Sequence, residues 1–325
     1  MLNSFLFAAG AVLPIVLLTL IGYLAKCAGI LPEGVTKHLN RLVFRILLPC
    51  NLFLNVYGMT GFSDVKLGYI LFVLIAAPVL LALALPAILA STRDPARRGA
   101  LSQAVFRSNY ALVGIPLAEA IGGEEGAVLA TLLSAALIPL FNVMAVICLS
   151  VFGGGKVSPK RIALGVLKNP LIISIAAGCL CLGVRAIFAE VGIGLRLSSI
   201  TPIYSMLTQL GKTATPIALL TLGAQFSFSA VPALRQQIIL GTLLRTVAVP
   251  TVALTVAYCM GCFEGAHFAT FVAAFATPVA VSSVPMAQEM GADTRLAGQL
   301  VVFSTLVSGL TIFIYSFLLR LIGVF

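Results

Sequence analysis

The chain has 325 residues, of which 60% are hydrophobic and only 9% charged, with a mean hydropathy of +1.13. A soluble domain carries roughly 25% charged residues, so this composition excludes a soluble enzyme or binding module and leaves an integral membrane protein. The net charge of +10 would suggest nucleic acid in a soluble chain, but here the basic residues sit in short connections, where they set membrane orientation, and no nucleic-acid partner is expected.

In chain order, the first apolar run, Phe5 to Cys27, lacks a basic segment ahead of it and is too long for a signal-peptide core. It predicts an uncleaved first span over 5–29. A span takes about 20 apolar residues, and further runs of that order predict spans at 36–57, 67–90, 100–122, 126–152, 162–188, 200–226, 236–262, 266–290 and 296–322. The fold expected is therefore all-α, with ten transmembrane helices and no soluble domain.

Basic residues orient these spans. With the N-terminus outside, the cytoplasmic side holds Lys26, Lys37, Arg41, Arg93, Arg97, Arg98, Lys156, Lys160, Arg161, Lys168, Arg235 and Arg295, against Lys66, Arg185, Arg196 and Arg320 outside. Twelve against four predicts a multi-pass protein of the cytoplasmic membrane with both termini on the extracytoplasmic side.

The seven cysteines fall mostly in apolar runs, and Cys179-x-Cys181 and Cys259-x-x-Cys262 have no His or charge beside them that would make a redox or metal motif. They read as small apolar helix residues. His38 and His267 are far apart in sequence with no acidic cluster, so neither a metal site nor a cofactor is expected. No nucleophile–base pair or HExxH appears either, and an enzyme is not expected.

Folded on itself near residue 160, the sequence matches span by span. Pro14 precedes Gly22 by eight residues, as Pro170 precedes Gly178; Pro49-Cys-Asn-Leu-Phe53 answers Pro216-Ile-Ala-Leu-Leu220; Leu67-Gly68 with Pro78 answers Leu240-Gly241 with Pro250. The fullest match lays Ile115-Pro-Leu-Ala-Glu-Ala-Ile-Gly122 over Val284-Pro-Met-Ala-Gln-Glu-Met-Gly291. Five spans is an odd number, so residues 156–325 would cross in the sense opposite to residues 1–155. Inverted repeats of this kind are typical of secondary transporters, with the site at the repeat interface.

Proline inside a helix removes a hydrogen bond and clashes with the preceding turn. Gly114 with Pro116 in span four, and Ser282, Ser283 and Pro285 in span nine (Pro278 loosening its earlier half), therefore predict interrupted helices at mid-depth. Helices restarting there would aim the N–H groups of Leu117 and Ala118, and of Met286 and Ala287, at the midplane from opposite sides. Helix starts carry roughly +0.5 charge, so two facing starts predict an anion seat.

The segment Phe106-Arg-Ser-Asn-Tyr-Ala-Leu-Val-Gly-Ile-Pro-Leu117 resembles the fourth-helix signature of the auxin efflux carrier family, which includes plant PIN carriers and bacterial malonate and malate permeases. The resemblance extends over the whole chain. It implies a scaffold of spans 1, 2, 6 and 7 beside a mobile domain of spans 3–5 and 8–10. Helices four and nine would cross around the substrate, with elevator-type motion and a homodimer. It places Asn109, with Tyr110 beside it, at the substrate. The equivalent position in span nine is Pro278, so no second asparagine carries over, and Ser282 and Ser283 are the polar replacements. The long hydrophilic loop of the plant carriers is absent, so auxin is not the expected substrate.

Ionisable residues inside spans are functional candidates by default. Arg45 lies four residues before Pro49 and Lys212 four before Pro216, a symmetric pair of cations suited to an anion, particularly a dicarboxylate; the competing reading is snorkelling to an interface. Arg107 reads as an anchor of helix four, and Arg245 as a partner for a helix end or a carboxylate. Glu119, opposite Gln288 in the repeat, reads equally as a buried proton carrier or as a cap on the broken helix.

The function expected is a secondary carrier in the lipid bilayer for a small organic anion, a mono- or dicarboxylate, with proton coupling through Glu119. Two rivals stand beside it: a cation-coupled carrier for a neutral or cationic solute, and a membrane sensor or channel on the same fold.

Overall fold

The computed structural model describes residues 2–58, 67–153, 164, 167–190, 194, 196–263 and 265–324, and among them every extended element is a helix. In chain order these are α1 (Leu2–Cys27), α2 (Glu33–Leu42), α3 (Leu48–Tyr57), α4 (Leu67–Ser91), α5 (Pro95–Phe106), α6 (Ile115–Phe152), α7 (Pro170–Glu190), α8 (Thr201–Gln225), α9 (Val231–Leu243), α10 (Val249–Met260), α11 (Ala266–Phe275), α12 (Ser283–Glu289) and α13 (Thr294–Leu321). Lys66, Lys156, Lys160 and Arg161 lie outside the described residues.

Six stretches of the described residues are long and apolar enough to cross a bilayer: Glu33–Tyr57, Gly68–Ser91, Tyr110–Phe152, Pro170–Ala189, Phe228–Met260 and Thr294–Leu321. That is fewer than the ten expected: spans one and seven are not among these six, and spans four, five and nine differ for physical reasons. Span four is divided, leaving the 12-residue α5 on its own. Its second part continues into span five as one 43-residue stretch, about 65 Å long if straight; Gly123, at φ +63°, interrupts it. Span nine is divided into α11 and α12, of 10 and 7 residues, neither able to span alone.

Three short π-helical segments, Val43–Leu47, Tyr110–Gly114 and Leu244–Ala248, each end two residues before a proline: Pro49, Pro116 and Pro250. A proline ring clashes with the carbonyl four residues back and offers no N–H to it. Widening the preceding turn moves that carbonyl aside, so the helix continues through the proline instead of ending at it. Glu33–Tyr57 and Phe228–Met260 accordingly run on through Pro49 and Pro250.

The helices pack in two groups. α1 and α2 lie on α8, and α3 lies on α7 and α8; α6 packs on α11, α4 on α5, α5 on α6, and α13 on α9 and α12. α1 and α2 meet the second group at α6, α12 and α13. Lipid provides no hydrophobic force between helices, so close approach depends on small residues. Gly22 of α1 abuts the backbone of Leu220, and Gly223 of α8 abuts the carbonyl of Thr19, with no room for a Cβ at either. Gly178 of α7 sits against α3, where a Cβ would stand 2.9 Å from Val56 Cβ. The second group buries Leu133, Leu137, Phe271, Val272 and Leu300 completely.

Candidate functional site

The site is built where two helices stop. Asp94 caps α5, its carboxylate accepting from the Ala96 N–H at 2.9 Å, and the helix ends at Arg107, whose backbone leaves the helical region at φ −80°, ψ 85°. Residues 276–282 separate α11 from α12. The two interruptions cross and pair through their backbones. The Asn109 N–H donates to the Pro278 carbonyl at 2.8 Å, the Ala280 N–H donates to the Arg107 carbonyl at 2.9 Å, and Ser108 opposes Val279 in a single antiparallel bridge. Backbone groups out of reach of water must find partners within the protein, and each break satisfies the other. Pro278 brings only an acceptor to this joint.

Both helices are interrupted as expected, but not at the expected residues. The break in span four ends at Asn109, seven residues before Pro116, because the π-helical turn accommodates that proline. Gly114 serves packing: a Cβ there would come 2.8 Å from the Tyr110 ring and 3.1 Å from the Ala273 carbonyl. Pro285 is the third residue of α12, in the first turn, where a missing N–H costs nothing. The free donors are consequently not those expected. Leu117 and Ala118 lie inside continuous helix, and Met286 N–H donates to the Ser282 carbonyl at 3.4 Å. The first N–H groups without an intrahelical acceptor belong to Tyr110, Ala111 and Leu112.

The opposite helix ends meet at Arg245, which is completely buried. It donates through Nε to the Thr277 carbonyl at 2.7 Å, through Nη1 to the Val105 carbonyl at 3.0 Å and through Nη2 to the Ala274 carbonyl at 3.0 Å. One guanidinium thus caps the C-terminal ends of α5 and α11, where carbonyl dipoles accumulate negative charge. Of the two readings open for Arg245, the helix-end partner is the one found.

A cavity of about 90 Å³ lies at the crossing, room for a solute of a few heavy atoms. Arg107, Ser108, Asn109, Tyr110, Ala111 and Leu112 line it with Ala280, Val281 and Ser282; Ile138, Phe141 and Asn142 of α6 close one side, and Leu48, Asn51, Leu52, Asn55 of α3 and Thr215 of α8 the other. The lining contains one cation, Arg107, and no carboxylate. Arg107 is buried and donates to neutral groups: Gln103 Oε1 at 3.4 Å, Asn142 Oδ1 at 2.8 Å and Met286 Sδ. Asn109 is 5% exposed and its Nδ2 has no hydrogen-bond partner in the protein; the same holds for Ser108 Oγ. Buried donors without partners are rare and require an explanation.

Asn109, Tyr110 and Ser282 of the expected site residues line this cavity. Tyr110 is anchored by its hydroxyl to the Ala130 carbonyl at 3.1 Å. Leu117, Ser283, Pro285 and Met286 are buried and are not part of the lining. Gly114 and Pro116 lie one turn along from it. Arg45 is displaced from its expected role: its side chain is 64% exposed and pairs at 3.3 Å with Glu289, which Arg41 also meets at 3.4 Å. Lys212 lies on an exposed face of α8, outside the cavity, so the symmetric cation pair does not converge on a solute there. Glu119 is exposed rather than buried and also lies outside. Gln288 accepts from Asn40 at 2.9 Å and Gln225 at 3.1 Å and donates to the Lys37 carbonyl at 3.0 Å, joining α12 to α2 and α8.

Several lining residues went unmarked in the sequence. Asn51 and Asn55 stand one turn apart, Asn55 Nδ2 donating to Asn51 Oδ1 at 3.1 Å and Asn51 Nδ2 to the Gly211 carbonyl at 3.3 Å. Two asparagines four apart in an apolar run share one helix face, a signal that was available. Asn142, alone in span five, carried a weaker one. Two larger cavities offer less to a charged solute at depth. That of about 550 Å³ between α10 and α13 is apolar apart from hydroxyls, and that of about 500 Å³ lies at the end of α12 among Lys37, Gln225, Gln288 and Arg295.

Broken helices joined around a polar cavity are a feature of transporters, and comparison with known proteins agrees. The family described as membrane transport protein matches residues 7–316. The chain belongs to that family, the auxin efflux carriers. It is 26% identical over 323 residues to an uncharacterized transporter of Methanothermobacter thermautotrophicus, covering 97% of this chain and 99% of the relative. It is also 28% identical over 228 residues to an uncharacterized transporter of Methanocaldococcus jannaschii, covering 68% and 69%. Membership of this family makes the chain a multi-pass membrane protein of the transporter class.

Proposed function

We propose that the chain is a secondary carrier moving a small organic anion, a mono- or dicarboxylate, through the cavity at the crossing. The observation that carries this reading is Asn109 Nδ2, a buried donor without a protein partner beside Arg107 in a lining free of carboxylates. Such a wall disfavours a cation and suits a carboxylate. The start of the helix at Tyr110 adds positive potential from the same side.

The same reading takes the chain as ten spans in two inverted halves, with both termini extracytoplasmic and two copies per molecule. α1, α2, α3, α7 and α8 form its scaffold, and the remaining helices carry the cavity past them in an elevator movement. The grouping of helix contacts supports this division. Glu119 takes no part, being exposed and away from the cavity.

The test is counterflow in proteoliposomes loaded with small carboxylates. Exchange of labelled carboxylate that saturates and is lost in Asn109→Ala supports a carrier. Binding without exchange would make the protein a sensor, and currents far above carrier rates would make it a channel; either result would overturn the proposal.

A further inference from the structure

Two arginines are buried at the crossing, and neither forms an ion pair among the described residues. They differ in what surrounds the charge. Arg245 faces three backbone carbonyls at the C-terminal ends of two helices, where the dipoles oppose its charge. Arg107 faces two side-chain amides and a thioether, none of which does so to a comparable degree. A cation held at depth is costly and marks a pathway or a ligand by default. Arg107 is also the cation that lines the cavity, two residues from the unpartnered Asn109 amide.

We infer that Arg107 recognises the charge of the solute, its guanidinium pairing with one carboxylate while Asn109 donates to the same group. The inference rests on the carrier reading and narrows it: one guanidinium in a cavity of about 90 Å³ serves a short solute held through a single carboxylate. Asn142, accepting from Nη2 at 2.8 Å, orients the guanidinium without neutralising it. A second carboxylate on the solute has no cation of its own in the lining.

Malonate, malonamate and malonamide have nearly one shape and carry two, one and no negative charges at neutral pH. Titrated into the purified full-length protein, malonamate is expected to bind at least about tenfold more tightly than malonamide, and malonate within about threefold of malonamate. In Arg107→Gln the three ligands converge to within about twofold by loss of the anion affinities, whereas Arg107→Lys keeps the preference. A residue that merely braced α6 and α12 would weaken all three alike, and that outcome overturns the inference. Asn142→Asp is the second variant, decisive if Arg107→Gln does not fold. It places a carboxylate against Nη2 with almost no change of shape and is expected to abolish the anion preference; a preserved preference overturns the inference. Wild-type protein that binds anions while both variants discriminate normally refutes only the role of Arg107. Wild-type protein that binds none of the three and exchanges no carboxylate refutes the carrier reading as well.

Discussion

Arg245 Nε donates to the carbonyl of Thr277 at 2.7 Å, and the same guanidinium reaches Val105 on the other interrupted helix. A single side chain from the π-helical segment before α10 therefore holds both half-helices by their carbonyl ends. Hydrogen bonds to a charged group contribute about 1.5–3 kcal/mol each. Arg245→Met should lower stability by at least about 3 kcal/mol on that scale, seen as a large fall in melting temperature in detergent. Arg245→Lys should recover little, because an ammonium cannot span three acceptors as the planar fork does.

Asn109 is expected to behave in the opposite way. Its side-chain amide has no partner to lose, while the backbone bond to Pro278 survives any substitution other than proline. Asn109→Ala should leave the melting temperature nearly unchanged and reduce carboxylate binding at least about tenfold, measured by titration of the same preparation.

Asn40 Nδ2 and Gln288 Oε1 are 2.9 Å apart, on α2 and α12. With the seven native cysteines replaced by serine, Asn40→Cys with Gln288→Cys should be bridged by a short bis-methanethiosulfonate reagent, which spans the gap that two shortened side chains leave and that a direct disulfide would not close. If the two helix groups move past each other, counterflow stops on cross-linking and returns with reductant. Undiminished exchange by the cross-linked protein would rule out relative motion at that contact.

Gly223 has no space for a methyl group, because its Cβ would run into the Thr19 carbonyl, whereas Gly309 in α13 has nothing within 4 Å. Gly223→Ala should separate α1 from α8 and lower both yield and melting temperature. Gly309→Ala should be silent or slightly stabilising, since alanine favours a helix over glycine by up to about 1 kcal/mol.

Helix content was legible from apolar runs, and the crossing was legible in outline from paired prolines and the fourth-helix signature. Asn109 was found because a resemblance named it; its alignment partner Pro278 proves to be the residue whose carbonyl it meets. The exact breaks were not legible, since a proline marks a weak helix position but does not reveal whether a widened turn absorbs it, as before Pro116. Depth alone also misled for charges. Arg45 appeared available to a solute, yet its partner Glu289 is brought to it by tertiary packing from far along the chain. Arg107 looked like an anchor because nothing local indicates that its neighbours in space are all neutral.

The crossing is joined by main-chain atoms: two peptide hydrogen bonds, which together make one antiparallel bridge, hold residues 107–109 to 278–280. Such a seam is blind to the chemistry of the residues it connects, and most side chains on either strand can be exchanged without loosening it. The seam is therefore separate from the side chains that line the cavity, and exchanging those side chains leaves the two broken helices joined.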